Sequence, residues 1–176
     1  MKVYFQEGEK KLFESFPQPK ILVFWFFKSL FIAFFITMFI MPFIVSVAKF
    51  DLSGGWYFSI FLLFIIVTII VFLYQVALRR SYHYYITNER VILEGGILLK
   101  KIKSVPYHKI TDVSIFQNII ERMLGLSTVN VHTAGTGVQI PEIRFFGLDQ
   151  PEMPQSIIIK ELKAFKANPT QAAYSD

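Results

Sequence analysis

Residues 76–101 read VALRRSYHYYITNERVILEGGILLKK, and the fold turns on how this stretch divides. Val76, Ala77 and Leu78 end a long uncharged run. Arg79, Arg80 and Ser81 follow, and from Tyr82 onward the hydrophobic period shortens to alternation. Alternation is the period of a half-buried strand, whereas the run before it has the length and uniformity of a membrane helix. A helix is therefore predicted to pass into a sheet within three residues.

The uncharged run is WYFSIFLLFIIVTIIVFLYQVAL, Trp56–Leu78. Ahead of it, Ser29–Ala48 is a second stretch without charge, and its apolar character extends past Lys28 back to Ile21. About 20 helical residues, rising about 1.5 Å each, cross a hydrocarbon core of about 30 Å. Two spans are expected, at about 21–48 and 56–78, joined by the short polar loop KFDLSGG into an antiparallel hairpin. Trp56 and Tyr57 would mark one interface, and Tyr74 with Arg79 and Arg80 the other. Lys2, Lys10, Lys11, Lys20 and Lys28 precede or begin the first span, Arg79 and Arg80 close the second, and the loop has only Lys49. The excess of basic residues on one side predicts a two-pass plasma-membrane protein with both ends in the cytoplasm. The mixed polar N-terminus lacks the pattern of a secretory signal.

Composition agrees with a membrane segment joined to a soluble one. The chain has 176 residues, 53% of them hydrophobic and 20 of them Phe, and they crowd into the first half. There is no cysteine, which excludes disulfides and thiolate metal sites. Within the spans the polar residues are Thr37, Ser46, Ser59, Thr68 and Gln75, with Lys28 near an end. Hydroxyls can bond back to their own helix, so a hydrophobic anchor is favoured over a channel or transporter subunit.

Downstream, YHYYIT and RVILE read as strands about a turn at Asn88 and Glu89, with Gly95 and Gly96 breaking the second. ILLKKIKSV is a third strand ended by Pro106, and ITDVSIF a fourth. NIIERMLG reads as a short helix with Asn118 as N-cap and Gly125 as its stop. STVNVHTA is a fifth strand and TGVQIPEIRFF a sixth, open to splitting at Pro141. In PEMPQSIIIKELKAFK, Ile158, Leu162 and Phe165 form an apolar stripe, with Lys160, Lys163 and Lys166 towards the other side. Tyr82 and Tyr84 share a face with Ile86, so part of that set is core, as is one of Phe145 and Phe146. The expected organisation is a cytoplasmic segment 1–20, a hairpin 21–78, a sheet domain 79–166 and a disordered tail 167–176. The fold class is an α-helical transmembrane hairpin followed by a small antiparallel β-barrel or sandwich, capped by a C-terminal amphipathic helix.

The phrases YYITNERVILEGGILLKK, SVPYHKITDVSI, IIERMLGLSTVNVHTAG and PEIRFFGL, in that order, resemble the prokaryotic PH-like domain in its membrane-flanked form. Pro106, Ile110, Val113, Arg122, Gly125, Thr133 and Gly135 fall on that pattern. The resemblance covers roughly residues 81–165. It implies a PH-like fold, while the binding role varies among proteins of that fold.

Lys100, Lys101, Lys103 and Lys109 are the candidate lipid-binding residues, because clustered lysines beside a membrane attract anionic headgroups. Alternation puts Lys101 and Lys103 on one face and Lys100 on the other, and the same lysines also read as protection of a solvated strand edge. The Lys…Arg-x-Arg pattern of phosphoinositide-binding PH domains is absent from the hairpin ITNERVIL. Residues 79–176 carry 12 basic and 9 acidic side chains, a net charge of +3, which excludes a strongly basic nucleic-acid platform. His83, His108 and His132 lack metal-ligand spacing. No GxSxG and no glycine-rich phosphate loop before a helix occurs, and nothing pairs Asp112 with Glu142. Neither catalysis nor a cofactor is expected. The expected function is a membrane-anchored PH-like binding or scaffolding module that docks a protein partner, or copies of itself, at the cytoplasmic face. Direct binding of anionic headgroups by the basic strand is the alternative, and a small channel or transporter subunit comes third.

Overall fold

The computed structural model describes residues 4–48, 55–135 and 140–167. Two helices, α1 (Ile21–Ala48) and α2 (Gly55–Ser81), occupy the places expected of the spans. Within them Ile21–Ile40 and Phe58–Ser81 are long and apolar enough to cross a membrane by length and composition. The polar connection between the helices, residues 49–54, lies outside the described residues.

The chain divides into two units, Leu22–Ala77 and the joint set Met1–Ile21 with Leu78–Asp176. In the helical unit, Phe26 and Phe72 meet edge to face with ring centroids 5.5 Å apart. Ser29 Oγ donates to the Phe26 carbonyl at 2.7 Å and Thr68 Oγ1 to that of Phe64 at 2.8 Å. Those two hydroxyls are satisfied by their own helices, whereas Thr37 Oγ1 and Gln75 Oε1 are buried with no hydrogen-bond partner among the described residues.

The second unit begins with an element that sequence reading passed over. Strand β1 (Lys11–Ser15) precedes the hairpin and pairs antiparallel with β2 (His83–Thr87), which follows it. Phe13 faces Ile86 and Ser15 faces Tyr84 in that register. β3 (Arg90–Gly95) and β4 (Lys101–Pro106) continue the sheet in the order β1-β2-β3-β4. A 3-10 turn at Tyr107–Lys109 leads to the second sheet, β5 (Ile110–Phe116), β6 (Ser127–Thr133) and β7 (Ile143–Leu148), also antiparallel and in sequence order. The helical hairpin is thus an insertion in the β1–β2 connection of a sandwich.

Helix α3 (Ile119–Leu124) joins β5 to β6 and α4 (Glu152–Ala167) ends the described chain. Tyr84, Ile86, Val91 and Val105 from the first sheet meet Val113, Val129, Val131, Ile143 and Phe145 from the second in one core, which α4 covers with Ile158. Tyr84 stacks on Phe145 at 4.6 Å between centroids and donates its hydroxyl to the Phe146 carbonyl at 3.0 Å. Burying a ring of this size is tolerable because its one polar atom finds a partner. Leu162 and Phe165 pack at the core margin, so the apolar stripe of α4 lies where its period put it.

Two expectations need correcting. Of the two expected forms, barrel or sandwich, the barrel is not formed: among the described residues the two sheets do not hydrogen-bond into one, and β1, β4, β5 and β7 are edge strands. The third strand starts at Lys101, not at Ile97, because Gly96 turns the chain at φ +102°. The expected disordered tail falls almost wholly on residues 168–176, outside the described residues.

Candidate functional site

Two of the four candidate lysines, Lys100 and Lys103, are engaged in ion pairs. Lys100 precedes β4 and its ammonium pairs with the Glu94 carboxylate. Lys101 pairs with Gly95, Lys103 with Leu93 and Val105 with Val91 across the β3–β4 ladder, so Lys103 shares the strand face that carries buried Val105. Its Nζ reaches the second sheet, donating to Glu142 Oε1 at 2.8 Å and to the Glu142 carbonyl at 2.9 Å. Lys103 therefore ties β4 to the start of β7. Lys101 and Lys109 are exposed and have no ion pair among the described residues. Lys101 and Lys103 stand two apart in β4, as alternation expects, and the partner of Lys103, Glu142, lies far along the chain.

Of the residues expected at the membrane interface, Tyr74 and Arg80 are exposed. Arg79 is held: its Nε donates to the Pro17 carbonyl at 2.8 Å, and its guanidinium lies 5.9 Å from the centre of the Phe16 ring. It binds the chain just before α1 to the chain at the end of α2. Gly147 adds to the same junction. Its carbonyl accepts from Gln18 N–H at 2.8 Å, and a Cβ on it would come within 3.1 Å of Ile21 Cδ1 at a backbone φ of +70°. Trp56 and Tyr57 lie in α2, with side chains outside the described residues.

The N-terminal segment is bound at the far end of β1. The Glu9 side chain has no exposed surface and accepts from Arg90 Nε at 2.9 Å, Arg90 Nη2 at 2.8 Å, Thr87 Oγ1 at 2.7 Å and Gln6 N–H at 2.9 Å. These bonds, led by the one from Arg90, outweigh burial and hold its carboxyl down at about 2.

The histidines do not converge. His83 stacks on Tyr85, His108 lies in the 3-10 turn near Phe165, and His132 Nε2 is 3.2 Å from Ser114 Oγ. Among the described residues no group of three His, Asp or Glu could hold a metal ion.

The second sheet carries an apolar surface that sequence reading recorded only as a short helix. Ile119 and Met123, four residues apart and so on one side of α3, are 81% and 82% exposed. Phe116, at the end of β5, is 56% exposed. The helix presenting them is firmly built. Asn118 Oδ1 accepts from Glu121 N–H at 2.7 Å while Glu121 Oε2 accepts from Asn118 N–H at 3.1 Å, a reciprocal capping box. Glu121 Oε1 accepts from Thr128 Oγ1 at 2.6 Å, and Gly125 closes the helix at φ +64°. The buried polar face of α3 thus locks it to β6 and leaves its apolar face outward. Asn-x-x-Glu was the available sequence signal for the cap; exposure of the other face had none.

The family model described as the bacterial PH domain matches residues 29–162. No curated protein and no solved structure matches the chain. The match covers well over half of the chain, running from α1 through both sheets into α4, and leaves β1 just outside. With its two antiparallel sheets and closing C-terminal helix, the chain belongs to the bacterial PH domain family.

Proposed function

We propose that this chain is a membrane-anchored, non-catalytic binding module that docks a protein partner at the cytoplasmic membrane face through the apolar surface of Phe116, Ile119 and Met123. The observation that carries this reading is the exposure of those side chains on a helix whose other face is locked by the Asn118–Glu121 box. A rigid apolar surface loses little freedom on association and gains by leaving water. Attachment through α1 and α2 raises the effective concentration for anything held in the same membrane, so a modest patch suffices. Headgroup binding by Lys100, Lys101, Lys103 and Lys109 is the weaker reading, because Glu94 and Glu142 already engage two of the four ammonium groups.

The test is photo-crosslinking of the full chain in native membranes, with a benzophenone amino acid at Ile119 or Met123 and, as a control, at Lys163 on α4. Protein adducts at the first two positions and not at the third support docking. An adduct of twice the chain mass identifies a second copy as the partner. Absence of any protein adduct, or adducts to lipid alone, refutes the reading.

A further inference from the structure

We propose that the β3–β4 loop, tipped by Ile97, Leu98 and Leu99, is a separate membrane contact that dips into the leaflet beside the end of α2. The proposal rests on the reading of α1 and α2 as membrane spans and concerns a different surface from the α3 patch. Leu98 and Leu99 are 84% and 87% exposed, and Ile97 is exposed beside them. Three consecutive apolar residues at the tip of a strand connection, where polar turn residues are usual, need an apolar surrounding.

The base of this loop is shaped and fastened. Gly95 lies beneath the Tyr82 ring, where an added Cβ would come within 2.4 Å of ring carbons. Gly96 has φ +102°, and a Cβ there would stand 2.1 Å from the Leu99 carbonyl oxygen. The chain therefore doubles back at a point only glycine accommodates, which throws residues 97–99 outward. Gly96 N–H then donates to Ser81 Oγ at 3.2 Å, fixing the loop to the last residue of α2.

Topology sets the direction and distances set the reach. β2 begins two residues after α2 ends, and β3 runs antiparallel to it with His83 opposite Glu94. Beyond Glu94 the chain heads back towards the end of α2. From Ser81 to Leu78, the last apolar residue of the span, is about 4–5 Å of helix rise. With Gly96 fastened to Ser81, the bend at residues 97–99 starts within about one helical turn of Leu78. Lys101, exposed and without an ion pair among the described residues, follows the tip and Arg80 is exposed on α2, giving an apolar point with basic shoulders. That order suits an anionic leaflet: acyl chains take the leucines and headgroups meet the cations. A protein covering this tip would have to fit between it and the bilayer that α2 leaves.

The test uses the full chain in phosphatidylcholine–phosphatidylglycerol nanodiscs. Because the chain has no cysteine, single cysteines can carry an environment-sensitive nitrobenzoxadiazole label without further change. The positions are Leu98, Ile70 in the middle of α2, and Asn88 at the turn between β2 and β3. The expected result at Leu98 is blue-shifted emission, quenching by doxyl lipids and loss of quenching by aqueous iodide, as at Ile70 and unlike Asn88. Iodide quenching at Leu98 equal to that at Asn88, while Ile70 responds to doxyl lipid, overturns the loop proposal and spares the spans. Shielding of Leu98 from both quenchers means that protein covers the tip and also overturns it. Iodide access at Ile70 overturns the spans and the loop proposal together.

Discussion

Replacing Arg90 with Met removes the counter-charge of a carboxylate that has no exposed surface. Breaking a buried pair from one side costs about 3–5 kcal/mol. Arg90 itself is 22% exposed, so its own desolvation is incomplete and the lower end applies. Proton linkage gives a consistent figure. Glu9 is held at about 2 against an ordinary 4.5. At about 1.4 kcal/mol per pH unit, its contacts less the opposing effect of burial amount to a net of about 3.5 kcal/mol. Arg90 is the leading cause, but Thr87 and Gln6 retain a share, so we expect a loss of about 2–3 kcal/mol. The loss should be local, because Glu9 joins the β1 segment to the β2–β3 turn. Hydrogen exchange followed by mass spectrometry is the assay. Amides in Lys11–Ser15 should exchange roughly 30- to 150-fold faster in the variant, while those of β6 change much less. Adding Glu9→Gln should recover part of the protection, since an amide oxygen can still accept from Thr87 and Gln6. Unchanged exchange in β1 would refute the reasoning, and so would equal acceleration in β1 and β6.

Further outcomes follow from the same contacts. Because the folded Glu9 carboxyl lies below its unfolded value, its stabilisation is complete above about pH 4.5 and is lost as pH falls towards 2. The thermal midpoint of Glu9→Gln should therefore fall less than that of the parent chain over this window. Gly96→Ala should lower the thermal midpoint and loosen residues 97–99, at a cost of about 1–3 kcal/mol for a side chain at positive φ against a carbonyl; an unchanged midpoint would show the loop to be adaptable. Asn118→Ala should cost about 0.5–2 kcal/mol and reduce crosslinking from Ile119 without changing exchange in β1.

The parts legible in the sequence were those with a local period or a local cap. Tyr84 and Ile86 alternate, Ile158, Leu162 and Phe165 repeat with the helix, and Asn118 and Gly125 bracket one short segment. β1 offered no such signal. KLFES is short, mixed and at an edge, and its partner strand lies beyond two helices, so nothing nearby marks it as a strand. Its absence from the reading hid the main topological fact, that the hairpin interrupts the sandwich. The lysines illustrate the same limit: among the described residues, a cluster in sequence became two ion pairs and two cations without an ion pair once Glu94 and Glu142 were in place. Leu98 and Leu99 read as strand because they are apolar and precede an alternating run, and only the backbone reversal at Gly96 excludes them from the sheet. For α3, helicity was readable from Asn118 to Gly125. Which face would be covered depended on Thr128, in the following strand.

The most direct test of the central claim, that one sandwich is completed across the helical hairpin, is the stability of that sandwich with the hairpin removed. Arg79 touches the Pro17 carbonyl, so a short Gly/Ser linker can replace residues 22–77 without stretching the chain. Two versions would be unfolded in urea and followed by circular dichroism, one retaining residues 4–21 and one starting at Leu78. The account predicts cooperative unfolding for the first. The second, with β2 left as a bare edge and Phe13 missing from the core margin, should unfold at much lower urea or aggregate. Equal midpoints for the two would show that β1 contributes nothing to the domain and would contradict the account.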